Sequence, residues 1–171
     1  KRVNLITKDL FKKYPTVQKM AAANLIELEN EIRSCGFYHN KAKNILNACK
    51  EIVEKHSGEI PNDFETLLSL SGVGRKTANV IMSVAFGKDA IAVDTHVFRV
   101  SKRLNLANAK TPNQVEFQLR EIIEKKYWSE MHYLMVLFGR YICKARRPLC
   151  EECKLKEICS YYQSFISQNN K

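Results

Sequence analysis

The sequence predicts an all-α fold, and three observations support that prediction. Helix breakers are scarce, with 6 Gly and 4 Pro among 171 residues, so long segments are free to be helical. Apolar residues recur at helical spacing along most of the chain. The only strand-like run, "AIAVDTHVF", is short and isolated, and a lone strand has no partner for its backbone hydrogen bonds. We therefore expect an extended connection here, which enters a helix near Asp94.

The first half of the chain contains three predicted helices. "NKAKNILNACKEIVEKHSG" carries an apolar stripe, with Asn40 as N-cap and Gly58 at its end. "PNDFETLLSL" is a short helix that Asn62 or Asp63 caps. "RKTANVIMSVAF" begins the third helix, and we expect its apolar positions to face inward: Ala78, Val80, Ile81, Val84 and Ala85.

The second half contains the helix that begins near Asp94 and two further predicted helices. "TPNQVEFQLREIIEKKY" starts with Thr111 as cap and Pro112 at the first helical position. "SEMHYLMVLFGRYIC" is apolar on nearly every side, so we expect a buried helix. Polar residues at Gly87–Asp89 interrupt two apolar segments. This break predicts two domains, residues 1–88 and residues 89–171.

The charge balance indicates a polyanionic partner. The chain has 28 Lys and Arg against 18 Asp and Glu, a formal net charge of +10. Such an excess favours nucleic acid, although a merely basic protein is the alternative. No apolar run approaches the roughly 20 residues of a membrane span, and the opening residues lack the apolar core of a signal peptide. We therefore expect an intracellular protein.

The stretch "LSGVGRKTANVIM" has the pattern helix, Gly-Val-Gly turn, helix. Glycine permits a positive φ and the close approach of another molecule to the backbone. The unpaired N–H groups at the start of the second helix attract a phosphate. We therefore expect Gly72, Val73 and Gly74 to grip a DNA backbone without reading its sequence. A plain helical hairpin with a tight turn is the alternative.

Lys76 and Asp94 are the candidate catalytic residues. Lys76 lies in the first turn of a helix, where the dipole disfavours a cation and therefore favours the neutral, nucleophilic amine. The alternative is a charged lysine that binds phosphate beside Arg75. Asp94 or Thr95 caps the next helix. A carboxylate there can also stabilise the positive charge on a sugar that is losing its base.

Four of the six cysteines form the pattern Cys143-x6-Cys150-x2-Cys153-x5-Cys159. Four thiolates can close a tetrahedral site or hold a cubane cluster. Only one gap has the length of a zinc hook, so the wide spacing favours a cluster larger than one ion. Between the first two cysteines, "KARRPL" presents Lys144, Arg146 and Arg147 to phosphates; a solvated charge run is the alternative. We expect Cys35 and Cys49 to be core or incidental.

These motifs together resemble the endonuclease III branch of the helix–hairpin–helix DNA glycosylases, through "GVGRKTANV", "AVDTHVFRV" and the cysteine spacing, in that order. The resemblance implies two helical domains with DNA in the cleft between them and a [4Fe–4S] cluster on the four cysteines. It implies removal of oxidised pyrimidines from duplex DNA, followed by a strand nick at the abasic site. Lys76 would attack C1′ and form a Schiff base, Asp94 would stabilise the developing charge, and β-elimination would release the 3′-phosphate.

The resemblance also carries expectations at other positions. Ser71 replaces the usual hairpin proline, which should loosen the turn slightly. Phe37 takes the place of an apolar wedge, or is an ordinary core aromatic. We count His96 among the DNA contacts. The family pattern has a further segment ahead of this start, so we expect an N-terminally incomplete first domain and weak activity.

The implied setting is a monomer in the prokaryotic cytoplasm, on damaged duplex DNA of the nucleoid. The residues alone leave two alternative functions open. One is a non-catalytic DNA-binding module that uses the hairpin and the basic loop. The other is a four-cysteine, metal-stabilised module, either DNA-binding or a zinc protein that engages protein partners.

Overall fold

The computed structural model describes the backbone of residues 2–169 and the side chains of residues 3–164. Over this range the chain forms α-helices and short 3₁₀ turns, and no strand occurs in it, which confirms the all-α prediction. The helices are α1 (Arg2–Lys13), α2 (Val17–Ala21), α3 (Leu25–Glu31), α4 (Tyr38–Lys55), α5 (Phe64–Ser69), α6 (Arg75–Val84), α7 (Thr95–Arg103), α8 (Pro112–Ile122), α9 (Trp128–Tyr141) and α10 (Ser160–Asn169). None of the helices within residues 2–169 is long and apolar enough to cross a bilayer.

The chain divides into two compact units, residues 1–74 and residues 75–171. In the first unit, α4 packs against α2 and α3. Burial of apolar side chains is the main force that holds such short helices together. The buried core of this unit consists of Leu10, Tyr14, Met20, Leu28, Ile32, Ala42 and Leu46. The sequence-based domain boundary after residue 88 stays a prediction.

The second unit is built on the packing of α7 against α9 and α8. Its buried core consists of Ile91, Val93, Val97, Val100, Ala107, Val115, Leu119, Trp128 and Met135. The run 90–93 is buried, forms neither helix nor strand, and leads directly into α7, as expected of a connection. The ring Nδ1 of His132 lies 2.7 Å from the carbonyl oxygen of Ala92 and ties this run to α9.

Three of the predicted N-caps are confirmed, and one is wrong. Asp63 caps α5, Thr111 caps α8 with Pro112 in its first turn, and Asp94 caps α7. Asn40 does not cap α4, because that helix begins at Tyr38. The preceding residue, Phe37, has a left-handed backbone with φ of 57° and makes no side-chain cap. A residue with a left-handed backbone therefore precedes this helix, whereas we expected a side-chain cap at its start.

Two predictions of burial are wrong in part. On α6, Ala78 is buried, but Val84 is 64% exposed, and Ala85, which follows the last residue of the helix, is also exposed. The reason is rotation: Asn79 is buried, and at about 100° per residue Val84 lies about 140° around the helix from it. Helix α9 is not buried on every side: among the described residues, four apolar side chains that we expected to be buried are exposed, namely Tyr133, Leu134, Leu137 and Tyr141.

Candidate active site and metal centre

The glycine turn follows α5 and contains one position that only glycine can occupy. Gly72 has φ of 74°, and a Cβ placed there would lie 2.6 Å from the Cβ of Asn44 on α4. The Val73 N–H donates to the Leu70 carbonyl at 3.0 Å, which closes the turn. Gly74 is exposed and has open space around it. The turn thus presents bare backbone, as a backbone-gripping hairpin requires.

Ser71 braces this turn against α4. Its backbone N–H donates to Oε2 of Glu51 at 2.9 Å, and its hydroxyl donates to Oε1 at 2.6 Å. These two bonds lower the pKa of the Glu51 carboxyl below its ordinary value. A proline at this position has no N–H to donate. Ser71 thus supplies a donor that the usual proline lacks, and Glu51 is a contact that the sequence reasoning missed. The expectation that serine loosens the turn slightly stays a prediction.

Lys76 and Asp94 both lie in the second compact unit. Lys76 is exposed at the second residue of α6. Asp94 is half-buried, and its Oδ1 accepts from the N–H groups of His96 and Val97, both at 2.8 Å. The hydrogen bonds of the described residues do not include Oδ2. One oxygen therefore holds the carboxylate at the helix end, and the other can face a ligand.

Two predicted DNA contacts have partners inside the protein. The guanidinium of Arg75 donates to both oxygens of the buried carboxylate of Glu116, at 2.9 and 2.8 Å. The Nδ1 of His96 lies 3.2 Å from Nη2 of Arg99, which also donates to the Gly139 carbonyl at 2.7 Å. The roles of Arg75 and His96 at DNA stay predictions.

Phe37 is 85% exposed. The alternative that it is a core aromatic is therefore wrong, whereas its role as a wedge stays a prediction. The ammonium group of Lys41 donates to the carbonyl of the neighbouring Gly36 at 2.6 Å. This contact ties the loop to the first turn of α4 and leaves the aromatic ring projecting into solvent.

The four clustered cysteines line a single pocket with largely apolar walls, formed by Leu104, Phe138, Ile142, Pro148 and Leu149, among others. Cys159 is buried, and the other three are half-buried. Burial raises the pKa of the Cys150 thiol, and the neighbouring sulfurs of Cys143, Cys159 and Cys153 raise it further. Four converging thiols are the donor set of an iron–sulfur cluster, so these residues fit that group. In the described part of the chain, no set of His, Cys, Asp and Glu is arranged to hold a single metal ion.

Arg103, in the last turn of α7, organises the loop between the first two of these cysteines. Its guanidinium donates to the carbonyls of Lys144 at 2.7 Å and Ala145 at 3.2 Å, and lies 3.4 Å from the sulfur of Cys143. It also stacks on the ring of Tyr161 at 4.3 Å. The predicted phosphate-binding cations of this loop are all exposed: Lys144, Arg146 and Arg147. The sequence reasoning missed Arg103. Its one local signal is a spacing of four residues from Arg99, which places the two arginines on the same face of a helix.

Comparison with known proteins identifies the family. A family model described as the HhH-GPD superfamily of base excision DNA repair proteins matches residues 1–125. A second, described as the iron–sulfur binding domain of endonuclease III, matches residues 143–159. The endonuclease III of Rickettsia felis is 48% identical over 164 residues, which cover 96% of this chain and 77% of that protein. The chain belongs to the endonuclease III family.

Other relatives agree with this assignment. The endonuclease III of Bacillus subtilis is 51% identical over 92% of this chain and 72% of its own length. A solved non-covalent endonuclease III–DNA complex matches with a TM-score of 0.92 at 49% identity, over 96% of this chain and 78% of that one. A trapped covalent endonuclease III–DNA intermediate matches with a TM-score of 0.92 at 50% identity.

The match to the iron–sulfur domain begins at Cys143 and ends at Cys159, the first and last of the four clustered cysteines. Together with the relatives, it confirms the predicted [4Fe–4S] cluster. The assignment of the four individual ligands, like the catalytic roles of Lys76 and Asp94, stays a prediction.

Proposed function

We propose that this endonuclease III family member is a base-excision repair enzyme. It acts as a DNA N-glycosylase on oxidised pyrimidines in duplex DNA and as an AP lyase through a Schiff base on Lys76. One observation carries the proposal: an exposed lysine is the second residue of α6, the helix that follows a bare glycine turn. The related protein trapped as a covalent intermediate with DNA supports a covalent route of this kind.

The chemistry begins when the damaged base leaves the helical stack, at an energetic cost that is smallest for a damaged base. The neutral amine of Lys76 attacks C1′, and the glycosidic bond breaks with its electron pair leaving on the base. The sugar carries positive charge as this bond breaks, and the carboxylate of Asp94 stabilises that charge. The amine then loses a proton and the sugar ring opens, which yields the Schiff base.

Strand cleavage follows from the same intermediate. Loss of a proton from C2′ drives β-elimination, in which the bond to the 3′-phosphate breaks and the phosphate leaves with the electron pair. Water then hydrolyses the Schiff base and regenerates Lys76. Both steps use one nucleophile, so a single substitution at Lys76 should abolish both.

The cluster domain supports binding. We propose that Cys143, Cys150, Cys153 and Cys159 hold the [4Fe–4S] group, which supplies a structural cross-link when bound. The cross-link fixes both ends of the loop that carries Lys144, Arg146 and Arg147. Cations held in this way can bind phosphates with less loss of side-chain and loop entropy.

The remaining assignments complete the proposal. Gly72, Val73 and Gly74 contact the DNA backbone, and Phe37 wedges into the duplex from its exposed loop. Residues 1–88 form the helix–hairpin–helix domain and residues 89–171 the iron–sulfur domain. The protein acts as a monomer on chromosomal DNA in the bacterial cytoplasm.

Borohydride trapping tests the proposal. The protein is incubated with duplex DNA that contains an abasic site, and reduction converts the Schiff base into a stable adduct. We expect an adduct with the unaltered protein, none with Lys76→Ala, and an undiminished adduct with Lys110→Ala, a matched change at an exposed loop lysine. An adduct that survives Lys76→Ala would place the nucleophile elsewhere. Salt-sensitive binding with no adduct from the unaltered protein would favour a non-catalytic module.

A further inference from the structure

We infer that Glu116 is a positioning residue for Lys76, acting through Arg75. This inference rests on the proposed function and names a residue that the reaction scheme above does not use. Glu116 lies on α8 and is only 2% exposed. A buried carboxylate is rare unless its charge is paired, so its partners indicate what it does.

Both oxygens of Glu116 are occupied. The Nε of Arg75 donates to Oε2 at 2.9 Å, and Nη2 donates to Oε1 at 2.8 Å, which is a two-bond fork between planar groups. The side-chain Nδ2 of Asn79 donates to Oε2 at 2.9 Å. Arg120 adds a longer contact to Oε1 at 3.5 Å. The faces of the two guanidiniums are covered as well: Arg75 stacks on Phe117 and Arg120 on Trp128.

The network holds α6 at two points. Arg75 and Asn79 are four residues apart and therefore lie on one face of α6, one above the other. Two anchors on one face fix both the rotation of the helix about its axis and its position along that axis. Lys76 follows Arg75 and lies about 100° around the helix. Any rotation of the first turn of α6 therefore moves the Lys76 amine sideways.

The first turn of α6 needs such an anchor because it has no side-chain cap at Gly74. The first N–H groups of a helix lack intrahelical partners, and a side-chain cap usually holds them. The residue before α6 is Gly74, which has no side chain to act as a cap. The glycine that keeps the turn bare thus removes the cap from the helix that carries the nucleophile. The fork from Glu116 grips the first residue of α6 instead.

Stability alone is a poor explanation for this pair. Desolvation offsets most of the attraction within a buried ion pair, and apolar residues of similar size often stabilise a fold as well or better. The fork adds direction, because its two parallel bonds hold the guanidinium in one plane. A precise direction matters most beside a nucleophile, where a shift of about 1 Å can lower a rate by roughly 100-fold.

Glu116→Gln tests the inference, since the amide keeps the size but turns one acceptor into a donor that faces Arg75. The assay is single-turnover borohydride trapping with the holoenzyme in saturating excess over abasic-site DNA. It yields a rate constant and a final amount of adduct, and affinity for an uncleaved duplex is measured separately. We expect the rate constant to fall about tenfold or more, with the affinity within about twofold. Glu121→Gln, at an exposed carboxylate on the same helix, should change neither.

The outcomes separate positioning from mere stability. A lower rate constant supports the inference, whatever the final amount of adduct. An unchanged rate constant overturns the inference. This holds even if the amount of adduct falls because less protein is folded, or if the affinity falls because a phosphate contact is lost. If Glu116→Gln does not fold, Arg75→Lys keeps the charge, removes the fork and is held to the same criterion. Failure of the proposed function itself is distinct, because it appears as an adduct that persists in Lys76→Ala.

Discussion

Asp94 combines a structural role and a chemical role that two substitutions can separate. Its Oδ1 accepts from the N–H groups of His96 and Val97, both at 2.8 Å, and so caps α7. The proposed chemistry uses the negative charge of the carboxylate. In Asp94→Asn the amide oxygen can still accept both bonds, but the charge is gone. In Asp94→Ala both the cap and the charge are lost.

The magnitudes follow from these contacts. Replacing an N-cap carboxylate by alanine destabilises a protein by about 1 kcal/mol. For a chain of this size, that corresponds to a fall of about 3 °C in Tm. Asparagine is about as good a cap as aspartate, so Asp94→Asn should leave Tm within about 1 °C. Both variants lose the stabilisation of the charged sugar, and removal of one such electrostatic contact typically lowers a rate by roughly 100-fold or more.

The assay pairs thermal unfolding of each holoenzyme with single-turnover base release from duplex DNA containing an oxidised pyrimidine. Asn24→Ala is the matched control, because Asn24 caps α3 through the same pattern of two N–H groups, at 2.9 and 3.3 Å. It should lower Tm as Asp94→Ala does and leave the rate unchanged. Near-normal base release by Asp94→Asn would refute the proposed use of the charge. A loss of Tm in Asp94→Asn equal to that in Asp94→Ala would refute the separation of the two roles.

Three further predictions concern contacts outside the catalytic pair. Arg103→Ala removes the donors to the Lys144 and Ala145 carbonyls, so the variant should retain less iron and sulfide per chain than the unaltered protein after exposure to a chelator. Equal retention by the variant and the unaltered protein would contradict the role of Arg103 in organising the cysteine loop. Glu51→Gln should lower the free energy of unfolding by about 1 kcal/mol at neutral pH. The bonds from Ser71 lower the pKa of Glu51 in the folded protein. The difference in unfolding free energy between the two proteins should therefore be complete above the pKa of Glu51 in the unfolded chain and vanish as pH falls through its pKa in the folded protein. A difference that persists in acid would contradict this prediction. Phe37→Ala should leave Tm within about 1 °C, since the ring is 85% exposed, yet weaken binding to damaged duplex in a titration, and unchanged affinity would contradict the wedge.

The features that the sequence predicted well depend on neighbouring residues. Asp63, Thr111 and Asp94 were predicted as caps because a cap bonds to N–H groups only two or three residues away. The extended run before α7 was predicted because a short apolar segment without a partner strand cannot form a sheet. Asn40 fits the same rule but fails, since the left-handed backbone of Phe37 starts the helix three residues earlier.

The features that the sequence did not predict depend on residues far apart in the chain. Glu116 is 41 residues from Arg75, and Arg103 is 41 residues from Lys144. Nothing in the local pattern around "VEFQL" indicates that its glutamate is buried, because a helix position is buried only when another element covers it. The exposed side of α9 was missed for the same reason: apolar composition limits which faces can be buried, and packing decides which ones are.

The proposed mechanism depends on the amine of Lys76 as the nucleophile. Mass spectrometry of the borohydride-reduced adduct, after digestion of protein and DNA, tests it directly because it locates the attached sugar on a single residue. We expect the added mass on Lys76 and no other peptide that carries it in comparable yield. Attachment at a different amine, with Lys76 recovered unmodified, would show that Lys76 is not the nucleophile.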